Sequence, residues 1–160
     1  EVGPLIRPEE VDRVAAWVEE AVEQGAKRLC GGRREGPSYY APTVLLNPPA
    51  NAKVSTLEVF GPVVCVYSYK ELDEAIAAAN SLPCAFQAAV FSKDLDTAMR
   101  VTRHLNATAV MVNDHTAFRV DWMPFGGRKE SGLGLGGIAH SVKEMTQDKL
   151  MVIKSSGMDS

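Results

Sequence analysis

Three stretches of this sequence hold residue types able to do chemistry. The run VNDHTAFRVDWMPFGG, Val112 to Gly127, gathers a histidine, an arginine, aspartates and aromatics with neither a helical nor a strand period. Ordering such a segment costs entropy, so long irregular loops in compact domains tend to be functional. Composition by itself leaves an ordinary surface crossing open. The stretch TLEVFGPVV, Thr56 to Val64, sets a lone acid, Glu58, and an aromatic, Phe60, just before a Gly-Pro turn into an apolar run. A carboxylate there can accept two hydroxyls of a sugar, and the ring can pack on a flat heterocycle. A surface Glu and a core Phe are the blander account of the same pair. SGLGLGGI, Ser131 to Ile138, has glycines that would let a backbone approach a pyrophosphate at a helix N-terminus. Its spacing departs from G-x-G-x-x-G and it follows an irregular loop rather than a strand, which favours a flexible turn opening a helix.

The cysteines and histidines point to less. Cys30, Cys65 and Cys84 have no metal-ligand spacing, and an odd count suits a reducing compartment better than a disulfide framework. None has a cation, base or helix N-terminus beside it in sequence to lower its pKa; Cys65 reads as core and only Cys84, in SLPCAF, is ambiguous. His104, His115 and His140 lack metal-ligand spacing, which argues against a zinc site.

Elements must position the first two stretches. RPEEVDRVAAWVEEAVEQG repeats apolar residues at Val11, Val14, Ala15, Val18 and Val22, one face of an amphipathic helix. Pro8, Glu9 and Glu10 suit its first turn and Gly25 its C-terminal cap. KRLC and APTVLLN read as strands of a hairpin around GGRREGPS. PVVCVYSY, FQAAVFS and TAVMVN then read as strands, with ELDEAIAAANS and DLDTAMRVTRHL as the helices between them. Such alternation predicts an α/β core with a mostly parallel sheet and flanking helices. Residues 134–145 add a short helix, and KLMVIK, Lys149 to Lys154, a final strand whose partner must be distant, in another subunit for example.

The totals set bounds. A chain of 160 residues with 46% hydrophobic content predicts one domain. A net charge of -3 with scattered Lys and Arg leaves no basic face for nucleic acid. No apolar run reaches the ~20 residues of a membrane span, and EVGPLIRPEE has no signal-peptide pattern, so a cytoplasmic location is expected. The first residue is Glu, which suits processing or truncation.

Taken together, LEVFGPVV, AAVFSKDLDTAMRV, VMVND, MPFGGRKESGLG and KLMVIK resemble, in order and spacing, the NAD(P)-dependent aldehyde dehydrogenases. The likeness runs from EVGPLI to VIK. In that family a cysteine attacks the aldehyde, hydride leaves for the nicotinamide, and a glutamate-activated water hydrolyses the thioester. The resemblance puts both residues, and the dinucleotide-binding domain, upstream of the part matching Glu1. It thus implies a C-terminal fragment of the catalytic domain, residues 1–146, plus an oligomerisation strand and tail, residues 147–160, unable to catalyse alone. Glu58 and Phe60 match the pair that holds the nicotinamide ribose and packs beside the nicotinamide of NAD or NADP. Leu57 departs from the second acid often found there, and LPCAFQ replaces a more usual Tyr-Gly-Leu, which leaves the local helix-to-strand turn in question.

The loop before PFGG lines the substrate entrance in this family. Phe125 resembles the aromatic wall of the aldehyde pocket, and Arg119 offers a planar fork for carboxylate, phosphate or phosphonate oxygens. His115 is a weaker helper. A rival role pairs Arg119 with Asp114 or Asp121 as a structural clasp. The loop looks most like members acting on phosphonoacetaldehyde, lactaldehyde or glyceraldehyde 3-phosphate. The resemblance implies a parent enzyme that oxidises a small, anionic aldehyde to the acid, as a homodimer or homotetramer joined through the C-terminal strand, with no nucleic-acid or membrane partner. The alternative is a non-catalytic association module derived from the same fold.

Overall fold

The structure, a computed structural model, describes residues 2–154. Length predicts one domain; the chain instead divides into two compact units, Glu1–Glu74 and Ala75–Ser160.

In the first unit, helix α1 (Pro8–Glu23) opens on Pro8 with Glu9 and Glu10 in its first turn, where free N–H groups favour negative charge. It ends in a Schellman arrangement: Gly25, at φ +109°, donates to Val22 O at 3.0 Å, and Ala26 donates to Ala21 O at 2.9 Å. Its buried face is Val11, Val14, Val18 and Ala21, with Ala15 and Val22 packed at the edge. That face covers Leu45 in the same core cluster, and each fully buried Val or Leu contributes roughly 1.5–3 kcal/mol.

The sheet beneath is built from β1 (Lys27–Cys30), β2 (Thr43–Leu46) and β3 (Val63–Val66) in that order. The expected hairpin is present, with β1 antiparallel to β2 and an irregularity between Arg28 and Cys30. β2 is central, burying Thr43 and Leu45 on alternate positions as a half-buried strand should. β3 runs parallel to β2, in the register Thr43 to Val63. A parallel neighbour requires a crossover connection. Residues 47–62 supply it, with a single helical turn, α2 (Lys53–Thr56), that the periodicity did not predict because so short a run has no period.

The second unit opens with α3 (Leu72–Asn80), whose first turn straddles the division, followed by β4 (Cys84–Ala85), β5 (Gln87–Val90), α4 (Leu95–His104), β6 (Ala109–Val112), β7 (Arg128–Lys129) and α5 (Ile138–Met145). β5 and β6 pair in parallel across the α4 connection, with Gln87 opposite Ala109. α4 starts where the Asp94 carboxylate accepts from Thr97 N at 2.8 Å. Ile76, Ala98, Val101 and Met111 are the buried apolar residues here.

The LPCAFQ segment does form a strand start: β4 pairs antiparallel with β7, a two-residue strand directly after the irregular loop of Val112 to Gly127. The chain is therefore α/β as predicted, but its strands form small separate sheets with two parallel and two antiparallel pairings. KLMVIK has no strand partner among the described residues of this chain, and Leu150, Met151, Val152 and Ile153 lie exposed. The expected tail, residues 147–160, falls partly outside the described residues. The glycines of SGLGLGGI serve the turn before α5, as their spacing favoured: a Cβ at Gly137 would stand 2.8 Å from Met123 O, and one at Gly134 would stand 2.9 Å from Glu144. No helix among the described residues is long and apolar enough to cross a membrane.

Candidate functional site

Glu58 and Phe60 lie in the crossover between β2 and β3. After Leu57 closes α2 by donating to Lys53 O at 2.9 Å, the chain extends and Phe60 takes a left-handed backbone with φ +46°. That conformation is unfavourable for a bulky residue and persists where the surroundings fix it. Arg13 of α1 is one fixing group: its Nη2 donates to Val59 O at 2.7 Å and its Nε to Glu10 at 2.7 Å. Its guanidinium also lies 4.5 Å from the Trp17 ring centroid. The Arg13 and Arg7 guanidinium groups hold the Glu10 carboxyl below its ordinary range. Gly61 is the other fixing point, since a Cβ there would stand 2.8 Å from Val14 Cγ2.

The consequence is a presented pair. Phe60 is 76% exposed, and the Glu58 carboxylate reaches solvent with no hydrogen bond or ion pair among the described residues. Both line a cleft of about 770 Å³ together with Arg13, Trp17, Pro4 and Pro62. Two free carboxylate oxygens suit adjacent hydroxyls, and an open ring face suits a flat heterocycle.

The loop that follows β6 carries the other candidates. Asn113, at φ +57°, ends the strand. Its Oδ1 accepts from Ser92 N at 2.8 Å and its Nδ2 donates to Ser92 O at 2.9 Å, so the loop leaves from a fixed point beside β5. Turns close between Phe118 N and His115 O and between Met123 N and Val120 O, at 3.3 and 3.0 Å. At its far end Phe125 exchanges two backbone hydrogen bonds with Gly136, at 3.1 and 2.6 Å.

Arg119 is not clasped to either aspartate. Its Nη1 donates to Met123 O at 2.9 Å and Val120 O at 3.2 Å, and the guanidinium stacks 4.4 Å from the Phe125 ring centroid. Phe125 in turn meets Phe86 edge-on, with centroids 5.1 Å apart. With Nη1 engaged by the main chain, Nε and Nη2 remain as the side-on edge that grips an anion bidentately. Asp114 lies instead beside His115, 3.8 Å from Nε2, while His115 Nδ1 accepts from Ala117 N at 3.2 Å. A smaller cleft of about 310 Å³ opens between β6, Asp114, Phe118 and Met123.

Arg119, His115 and Phe125 thus share one loop in the second unit, and Glu58 and Phe60 share one crossover in the first. The sequence reading passed over Arg13 and Asn113. Arg13 is four residues before Trp17 on a helix, a spacing that puts them on one face, but nothing in the sequence ties it to Val59. Asn113 is more legible, as an Asn at a strand end is among the residues that tolerate a left-handed backbone. Burial pushes the Cys65 thiol up, and Cys30 and Cys84 lie at exposed strand positions.

Comparison with known proteins adds the context. A 3-sulfolactaldehyde dehydrogenase of Priestia aryabhattai is 44% identical over 153 residues, 96% of this chain and 32% of that protein. The crystal structure of aldehyde dehydrogenase 21 from Physcomitrella patens, in complex with the product succinate, superposes with a TM-score of 0.89 at 36% identity. It matches 98% of this chain and 32% of that one. Glyceraldehyde-3-phosphate dehydrogenase GapN from Methanocaldococcus jannaschii, complexed with NADP, gives a TM-score of 0.83 at 36% identity over 90% of this chain and 31% of that one. The chain spans about a third of the length of the curated relatives it matches, 32% for the first. Residues 1–151 match the model of the aldehyde dehydrogenase family. With the motif order, the α/β fold and these superpositions in agreement, the chain belongs to the aldehyde dehydrogenase family.

Proposed function

We propose that the whole protein oxidises a small anionic aldehyde to the acid with NAD or NADP, and that this chain contributes contacts to both ligands without holding the nucleophile. The observation that carries the anionic assignment is the Arg119 guanidinium, held by main-chain oxygens and stacked on Phe125 with its Nε–Nη2 edge left over. The names of relatives support it: one acts on 3-sulfolactaldehyde, and another structure holds succinate.

In this reading the Arg119 edge takes the sulfonate, carboxylate or phosphate tail, His115 helps from the same loop, and Phe125 walls the aldehyde. Glu58 accepts the hydroxyls of the nicotinamide ribose and Phe60 packs beside the nicotinamide. The left-handed turn and the Arg13 bond to Val59 keep both ready before the cofactor arrives. When bound, the nicotinamide supplies the hydride acceptor. The reacting cysteine and the base belong to sequence outside this chain, and the isolated chain is inactive. The segment Lys149 to Lys154 supplies the strand through which protomers join as a dimer or tetramer. The non-catalytic alternative has no support among the named relatives.

The test uses the full-length protein and a matched pair of substrates. 3-Sulfolactaldehyde carries a sulfonate that lactaldehyde lacks. Arg119→Ala should raise KM for the sulfonated aldehyde roughly 10- to 100-fold, the worth of a charge-assisted hydrogen bond, and leave that for lactaldehyde within about twofold. Equal effects on the two would discard the substrate role of Arg119.

A further inference from the structure

α3 ends at Asn80 with main-chain oxygens that need donors, and it has no basic residue in its last turn. The donor comes from 49 residues away. Lys129 Nζ donates to Asn80 O at 2.7 Å and to Leu82 O at 2.6 Å. Lys129 itself sits in β7 at φ +55°, opposite Cys84, and the next residue continues the seam, with Glu130 N donating to Pro83 O at 3.0 Å.

The Asn80 side chain extends the network. Its Nδ2 donates to His104 O at 2.8 Å and its Oδ1 accepts from Asn106 N at 2.8 Å, so one residue joins the ends of both helices of this unit that lead into strands. Between Lys129 and Phe125 the backbone is closely packed. A Cβ at Gly127 would stand 2.5 Å from the Ser131 carbonyl, one at Gly126 would stand 2.7 Å from Gly134 O, and Thr108 Oγ1 donates to Gly126 O at 2.5 Å. A displacement of Lys129 therefore passes to Phe125 and to the guanidinium stacked on it.

We infer that Lys129 is a positioning residue for substrate selection: by tying β7 to the C-terminal oxygens of α3 it sets where the Phe125–Arg119 stack stands. The inference rests on the reading of Arg119 and Phe125 as substrate contacts. Lys129 touches no substrate in this account. An ammonium has three donors for the two oxygens and a stem long enough to reach them. A methionine keeps the stem and loses the bonds.

Full-length Lys129→Met should raise KM for 3-sulfolactaldehyde roughly 5- to 20-fold, as misplacement of a binding group does, and shift KM for lactaldehyde less than about twofold. Lys129→Arg, which keeps donors at that reach, should return the sulfonate KM to within about threefold of wild type. The thermal midpoint should move by no more than about 3 °C, since the ammonium is at the surface. Lys93→Met controls for the loss of one surface charge and should match wild type. If Lys129→Met is insoluble, Lys129→Gln carries the same expectation. Wild-type constants in Lys129→Met beside a selective Arg119→Ala would overturn the positioning role alone, as would an equal loss on both aldehydes. An unselective Arg119→Ala would overturn the substrate reading on which it stands.

Discussion

A guanidinium in a loop can serve the loop or a ligand, and Arg119 commits only part of its donors to the loop. Nη1 goes to the oxygens of Val120 and Met123 and the plane to Phe125, which orients the remaining edge at little entropic cost to an incoming anion. The two aspartates weighed as partners, Asp114 and Asp121, form no ion pair with it among the described residues; Asp114 sits by His115 instead. A single carboxylate elsewhere shows how local chemistry sets pH response. Asp94 caps α4, and its hydrogen bonds from the Thr97 side chain and backbone hold its carboxyl below the ordinary 3.8. A lowered folded-state pKa gives stability that is present above the unfolded value and lost as pH falls through the folded one. Asp94→Ala should therefore lower the thermal midpoint at neutral pH, and the gap to wild type should close below about pH 3.8, as read from melts across an acid series.

At the scale of elements, α1 does more than bury an apolar face. Two of its residues fix the crossover that presents Glu58 and Phe60: Arg13 through Val59 O, and Val14 by filling the space that a side chain at Gly61 would need. Gly61→Ala places a methyl 2.8 Å from Val14 Cγ2, between a helix and a strand start that cannot both move. It should destabilise by about 1–3 kcal/mol, the usual range for overpacking. In the full-length protein it should also raise KM for NAD(P) while leaving the aldehyde KM unchanged. Denaturant melts and initial-rate kinetics check the two halves separately.

For the whole molecule, the exposed side chains of Leu150, Met151, Val152 and Ile153 lie in a row that a folded chain ordinarily covers. A row of apolar residues with unpaired backbone suits strand addition between protomers. Removing residues 147–160 from the full-length protein should shift it to a smaller species in size-exclusion chromatography coupled to light scattering. An unchanged mass would remove the proposed joining role of this segment.

The amino-acid sequence by itself determined the helices with a clear period, the strands between them and the family, and it singled out Glu58 and Phe60 as candidates, because periodicity and motif spacing are local and survive without a fold. It predicted the hairpin of β1 and β2 for the same reason. It missed α2, β4 and β7, which are too short to have a period, and it read as a strand the segment KLMVIK, with which no strand among the described residues pairs. Only the tertiary structure decided which oxygens Arg119 and Lys129 bind, that Arg13 reaches Val59, and why Gly61 must lack a side chain. The Lys129, Arg13 and Gly61 contacts join residues dozens of positions apart, and the bonds of Arg119 to Val120 and Met123, near in sequence, depend on how an aperiodic loop packs, which no local pattern encodes.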